Sequence, residues 1–294
     1  MSWTFPYLGE TKELNDATRA EAPGSFVRLS NGYTHYELGG PENGQPVAFV
    51  HGFSVPYFIW EPTFNFLKES GFRVLRYDLF GRGFSDRPKT HYDIDLFCDQ
   101  LKELLDTLGF KQVNLIGLSM GGPITSTFTT RYQNRVGKLV LVDPAGAKPV
   151  TLSRLLKAVK TPGFGELALG LFGREHMRKS VASDFYDPAH IKAFVDKYMV
   201  QLQYKGFMRA ILSTMRTGML GSFAETYQKL GLQKTPVALF WGRDDKTVPF
   251  EHSADVLAAV PQAQFHTFDN CGHIPHYERP DEVNPILLEF LKQD

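Results

Sequence analysis

The chain has 294 residues, 43% hydrophobic and 22% charged, which are globular proportions and enough to bury a core without staples. Lys+Arg and Asp+Glu both number 32, and a net charge of zero argues against a nucleic-acid binder that relies on a basic surface. Cys98 and Cys271 have no metal-ligand spacing between them, which argues against both a zinc site and a disulfide framework.

Met1 to Asn15 lacks the apolar run of a signal peptide. No stretch reaches about 18 uninterrupted apolar residues, so no membrane span is expected. The expectation is a soluble, cytoplasmic protein. Phe26–Leu29 and Tyr33–Leu38 flank Asn31-Gly32, a hairpin signal. Pro46–Val50 reads as a buried strand ending in His51-Gly52-Phe53, and Arg73–Tyr77 as another ending in Asp78. From Ile94 to Leu108 the apolar residues Phe97, Leu101, Leu104, Leu105 and Leu108 share one helical face, and Gly109 stops the helix. Val113–Ile116, Lys138–Val142, Val237–Trp241 and Gln264–Phe268 complete eight strands, and Pro280–Leu291 is a closing helix. Apolar strands alternating with helices predict an α/β fold: a mostly parallel sheet with helices on both faces and an antiparallel edge.

The alternation breaks between residues 146 and 234. This stretch reads as helices at Leu152–Val159, Ala189–Gln203 and Phe207–Met215. It carries 14 Lys+Arg against 6 Asp+Glu, a net charge of +8. The expected organisation is a core of residues 1–145 and 235–294 with a helical cap at 146–234. An insertion at the carboxyl end of a parallel strand lies over the place where such sheets bind ligands. Apolar cap residues are therefore expected to line a pocket as well as pack the cap.

The strongest chemical signal is Gly117-Leu118-Ser119-Met120-Gly121, between a predicted strand and a predicted helix. A serine on a sharp strand-to-helix turn exposes its hydroxyl and needs small residues two positions to either side. Serine is a weak nucleophile without a base. Of nine histidines, His273 has the right context, just after the last strand and before the last helix. His276 is its competitor. The base needs an orienting carboxylate. Trp241-Gly242-Arg243-Asp244-Asp245 offers two, of which Asp245 lies beyond the turn and Asp244 reads as a solvated turn residue. Asp143 is a further alternative. The oxyanion donors are expected to be the backbone N–H groups of Phe53 and Met120. His51 is expected to brace its loop. Phe53, Trp60, Phe172 and Phe207 are the expected substrate contacts.

These residues resemble the α/β-hydrolase fold superfamily. The order Ser119, Asp245, His273 matches it. So do His51-Gly52-Phe53, Asp78-Leu79-Phe80-Gly81-Arg82-Gly83-Phe84-Ser85, Gly242-Arg243-Asp244-Asp245 and Gly272-His273. The resemblance runs from about Phe26 to Leu291 outside the cap. It implies structural roles for Asp78 and the Gly81-Arg82-Gly83 turn. The motifs are specific for fold and triad and poor guides to substrate. Dehalogenases of the superfamily use Asp in the elbow, where this chain has Ser119. Ser119-Met120-Gly121-Gly122 is similar to meta-cleavage C–C hydrolases, which usually carry a Gly-rich stretch where Phe53-Ser54-Val55-Pro56 stands. A Phe in the oxyanion loop is similar to bacterial esterases and monoacylglycerol-lipase-like enzymes. The resemblance thus implies a serine hydrolase of carboxylic esters, acting on a small molecule without metal or organic cofactor, and a closed apolar cap is expected to favour short-to-medium acyl chains. A C–C bond hydrolase and a non-catalytic ligand-binding receptor are the alternatives.

Overall fold

The computed structural model describes residues 7–149 and 158–293. Eight strands form one sheet: β1 (Ser25–Leu29), β2 (Gly32–Gly39), β3 (Pro46–Val50), β4 (Arg73–Tyr77), β5 (Val113–Leu118), β6 (Val136–Val142), β7 (Val237–Gly242) and β8 (Gln264–Phe268). Their order is β1-β2-β4-β3-β5-β6-β7-β8. The β1–β2 and β2–β4 pairs are antiparallel and the remaining pairs parallel. This is the α/β sheet with an antiparallel edge that the alternation predicts. Every residue of β5 and β7 is buried, because helices cover both faces. One apolar cluster, with Phe49, Trp60, Val74 and Ile116, includes helical residues of the insertion such as Phe194 and Phe207. A second gathers Ala48, Leu75, Leu115 and Trp241.

The chain runs from β3 outward to β4, then returns to the other side of β3 as β5. The strand order therefore reverses at β3/β5, and the loops leaving their carboxyl ends diverge. Such a switch point opens a crevice for ligands. Phe53 and Ser119 follow these two strands.

Between β6 and β7 the described elements are helical: Phe164–Ala182, Ile191–Met199, Phe207–Arg216 and Ala224–Gly231. The predicted helix at Leu152–Val159 lies almost wholly outside the described residues. The predicted Ala189–Gln203 helix is divided, its regular part ending at Met199 before a 3-10 turn at Gln201–Gln203. No described helix is long and apolar enough to cross a membrane.

Candidate active site

The turn after β5 is sharp. Ser119 has φ 52, a left-handed conformation that non-glycine residues rarely adopt and that persists only where surrounding structure fixes it. Its N–H donates to Val142 O at 3.0 Å, and its carbonyl accepts from Gly122 and Ala145. A Cβ at Gly117 would stand 2.5 Å from Gly121 O and Thr125 Oγ1, and one at Gly121 would clash with Val50 O. Both glycines are thus required by close approach. The loop after β3 lies alongside: a Cβ at Gly52 would be 3.1 Å from Ser119 Cβ and 3.6 Å from its Oγ.

The loops after β7 and β8 bring Asp245 and His273 together. Asp245 Oδ2 and His273 Nδ1 are 2.7 Å apart and both residues are buried. Asp245 Oδ1 accepts from the N–H groups of Thr247 and Val248. Burial by itself would lower the His273 imidazole, but the charge and hydrogen bond of Asp245, with Asp184 beyond, outweigh it and the net shift is upward. Asp244 is exposed. Asp143 lies close by: one atom from each of Asp143, Asp245 and His273 falls within 4.8 Å of the others. This carboxylate–imidazole cluster has the makeup of a metal site, but its central contact is already a hydrogen bond between Asp245 and His273. Ser119 Oγ makes no hydrogen bond among the described residues. Such contacts are often long before substrate binds.

The competing histidines take other roles. The His276 ring is buried against Trp60, with centroids 4.2 Å apart. Burial and the neighbouring His273 push it down to about 3. His51 is buried and lowered to about 4, chiefly by burial. As a neutral ring it donates from Nδ1 to Gly52 O and accepts the Leu79 N–H at Nε2. That is the bracing expected of it.

No hydrogen bond from the Phe53 or Met120 N–H occurs among the described residues. Neither N–H is engaged within the described residues, and the loop that carries Phe53 is held from behind. Arg82, fully buried, donates from Nε to Phe53 O at 2.8 Å and from its Nη groups to Phe80 O and Thr214 Oγ1. Gln201 donates to Ser54 O and accepts the Gly83 N–H, each at 2.8 Å. Thr214 and Gln201 both lie in the helical stretch between β6 and β7. The same stretch touches the His273 loop. The His273 N–H donates to Asp184 O, and the Glu278 carboxylate accepts from the N–H groups of Gly272, Tyr186 and Asp187. Sequence reasoning missed Gln201, Asp184 and Glu278. They stand in no motif, and only the folded chain shows what they hold.

The expected substrate contacts need correction. Phe172 is 69% exposed on the outside of its helix. Trp60 and Phe207 are 0% exposed, packed as core, and present no surface to a ligand in this conformation. Aromatic character alone cannot separate core from pocket. Phe53 is half-buried and directly follows Gly52, which lies against Ser119.

A mostly parallel eight-stranded sheet with this elbow after β5 is the α/β hydrolase architecture, and the chain belongs to that family: the α/β hydrolase fold model matches residues 45–280. The chain is a hydrolase of this family. It is 31% identical to a 2-hydroxy-6-oxononadienedioate/2-hydroxy-6-oxononatrienedioate hydrolase of Paraburkholderia phymatum, covering 94% of this chain and 98% of the relative. It is 26% identical to a 2-hydroxy-6-oxo-6-phenylhexa-2,4-dienoate hydrolase of Comamonas testosteroni, covering 90% and 93%. Among solved structures, a mutant meta-cleavage product hydrolase from Pseudomonas fluorescens IP01 superposes with a TM-score of 0.75 at 26% identity, covering 91% of this chain and 97% of the other. An esterase from Exiguobacterium antarcticum shares the fold, with a TM-score of 0.77 at 20% identity over 92% and 100%.

Proposed function

We propose that Ser119, His273 and Asp245 act as nucleophile, base and orienting acid in hydrolysing a carbon–carbon bond beside a ketone, in a substrate of the 2-hydroxy-6-oxo-dienoate kind. The observation that carries this reading is the 31% identity to a hydrolase of such a compound along 94% of the chain. Residues 146–234 serve as a cap over the carboxyl edge, and residues 1–145 and 235–294 form the core.

A carbon leaving group departs only if its electron pair is delocalised. In the keto form of such a dienoate, a vinylogous 1,5-diketone, that pair spreads into a conjugated carbonyl. Ser119 Oγ adds to the ketone carbon as His273 Nε2 takes its proton. The oxyanion lies between the Phe53 and Met120 N–H groups. Collapse breaks the carbon–carbon bond, and the departing fragment takes the proton from His273. Water, deprotonated by His273, then releases the second carboxylic acid from Ser119.

Ester hydrolysis is the second reading, since an alkoxide leaves through the same steps. The half-buried Phe53, one residue after the Gly52 that lies against Ser119, favours it as an apolar contact for an acyl chain. The deciding experiment compares kcat/KM for 2-hydroxy-6-oxo-6-phenylhexa-2,4-dienoate and for p-nitrophenyl butyrate. The dienoate should be the faster. The reverse order establishes the ester reading. A fluorophosphonate should label the parent and not Ser119→Ala, a variant expected to lose several orders of magnitude in rate. Labelling that persists in the variant removes Ser119 from the mechanism.

A further inference from the structure

The mechanism above leaves one buried acid unused. Asp143 is 0% exposed at the end of β6 and has φ 41, a left-handed conformation that Asp and Asn tolerate better than other side chains. Its Oδ1 accepts the Gly242 N–H at 2.9 Å, tying the end of β6 to the end of β7. Its Oδ2 is buried with no hydrogen-bond partner among the described residues. The groups around it are Asp245, His273, Glu278 and Cys271. Only the imidazole among these carries positive charge, and Asp245 already holds it.

Two carboxyl groups this close in a buried site do not both ionise. The hydrogen bonds decide which of them carries the proton. Asp245 accepts three N–H bonds, from Thr247, Val248 and His273. Asp143 accepts one. Burial and the Asp245 charge accordingly hold the Asp143 carboxyl well above the usual carboxylate range. Once neutral, its O–H can donate to the Asp245 carboxylate, a hydrogen bond that itself raises the Asp143 carboxyl. Its position beside the imidazole gives it a use.

We infer that Asp143 is a reserve acid for the triad: neutral while Asp245 is charged, it ionises when that charge is lost and supports the His273 imidazolium in its place. The inference rests on the triad reading given above. It makes Asp143 a positioning residue, acting through His273 and not on the substrate. The β6–β7 tie to Gly242 alone would give no such substitution.

The test follows the second-order rate of fluorophosphonate labelling against pH, which reads activation of Ser119 whatever substrate the site takes. Asp143→Asn keeps the Gly242 contact and the neutral charge, and should slow labelling only about two- to fivefold. Asp245→Asn should slow it about 10²–10³-fold, short of the ~10⁴ seen in a related triad. The double variant should be at least about tenfold slower than Asp245→Asn, with its acidic limb at lower pH. A double variant no slower than Asp245→Asn overturns the inference. So does Asp143→Asn as damaging as Asp245→Asn, which would make Asp143 the primary acid. Labelling of Ser119→Ala, or full-rate labelling of Asp245→Asn, would instead refute the triad reading. Melting curves establish that the variants are folded. Should the double variant not fold, the limb of Asp245→Asn decides. A limb near the parent's supports a charge still beside His273, and one below about 6.5 overturns it.

Discussion

Asp244 and Asp245 are adjacent, yet one is exposed and the other meets His273 at 2.7 Å. Asp245→Asn should therefore lower kcat/KM at least about 100-fold, because an amide supports the wrong imidazole tautomer. Asp244→Asn should stay within about twofold, as a surface change away from any special contact. Equal losses would mean that the acid lies elsewhere. Under the proposed mechanism His273 sets the pH profile. Only neutral imidazole can take the serine proton, and the His273 value is shifted upward. The acidic limb of kcat/KM should then lie above the ordinary histidine value of about 6.5, and a profile without that limb would contradict a histidine base. At this scale the elbow serine was legible because its glycine neighbours answer a steric demand. That Asp245 and not Asp244 meets His273 was legible from its position beyond the turn. The Asp143 environment was not, since nothing in a string of residues says which two carboxyls meet.

Elements were legible where composition and burial agree. β5 and β7 are unbroken apolar runs, and both are fully buried. The Phe164–Ala182 helix, 19 residues long, is not legible as one. Gly165, Gly170 and Gly173 interrupt its pattern and weaken intrinsic helix preference. A Cβ at Gly165 would clash with Val159 O, and one at Gly173 would press on Met208 Sδ at 3.1 Å. At these two positions close packing explains the glycine that propensity counts against. The 3-10 turn holding Gln201 was likewise hidden inside a longer periodic run. Gln201→Leu should show what that turn does. It strands the Ser54 carbonyl and the Gly83 N–H, at a cost of about 1–3 kcal/mol. If the Ser54 tie fixes the Phe53 N–H, kcat should also fall about tenfold with KM little changed, since in the proposed mechanism that donor works in the transition state. Steady-state kinetics and melting curves check both. A lowered melting temperature with an unaltered kcat would reduce the contact to packing.

Across the whole molecule, buried histidines and buried acids make opposite demands on pH. His51 and His276 are lowered to about 4 and about 3, chiefly by burial. Their folded values lie below the unfolded one. The stability they permit is full above about 6.5 and is lost as pH falls, because the unfolded chain binds protons that the fold refuses. Asp143 has the other sign. Its folded value is raised, so its contribution is full below about 3.9 and is lost as pH rises toward the folded value. His273 is raised as well. Its contribution is complete below about 6.5 and adds no slope there. Above about 3.9 the aspartate slope opposes the histidine slopes, and the parent curve reports only their sum. Single substitutions should separate them. His276→Phe removes a titrating ring at similar size and should gain on the parent as pH falls, by at most about 1.4 kcal/mol per unit below 6.5. Asp143→Asn should gain on the parent as pH rises above about 3.9 toward the raised folded value. Denaturant unfolding at several pH values measures both differences, and each is judged by its slope, whatever offset the substitution introduces. Parallel curves for parent and Asp143→Asn would mean that Asp143 is ionised in the fold, and the account of two carboxyls sharing one charge would fall with it.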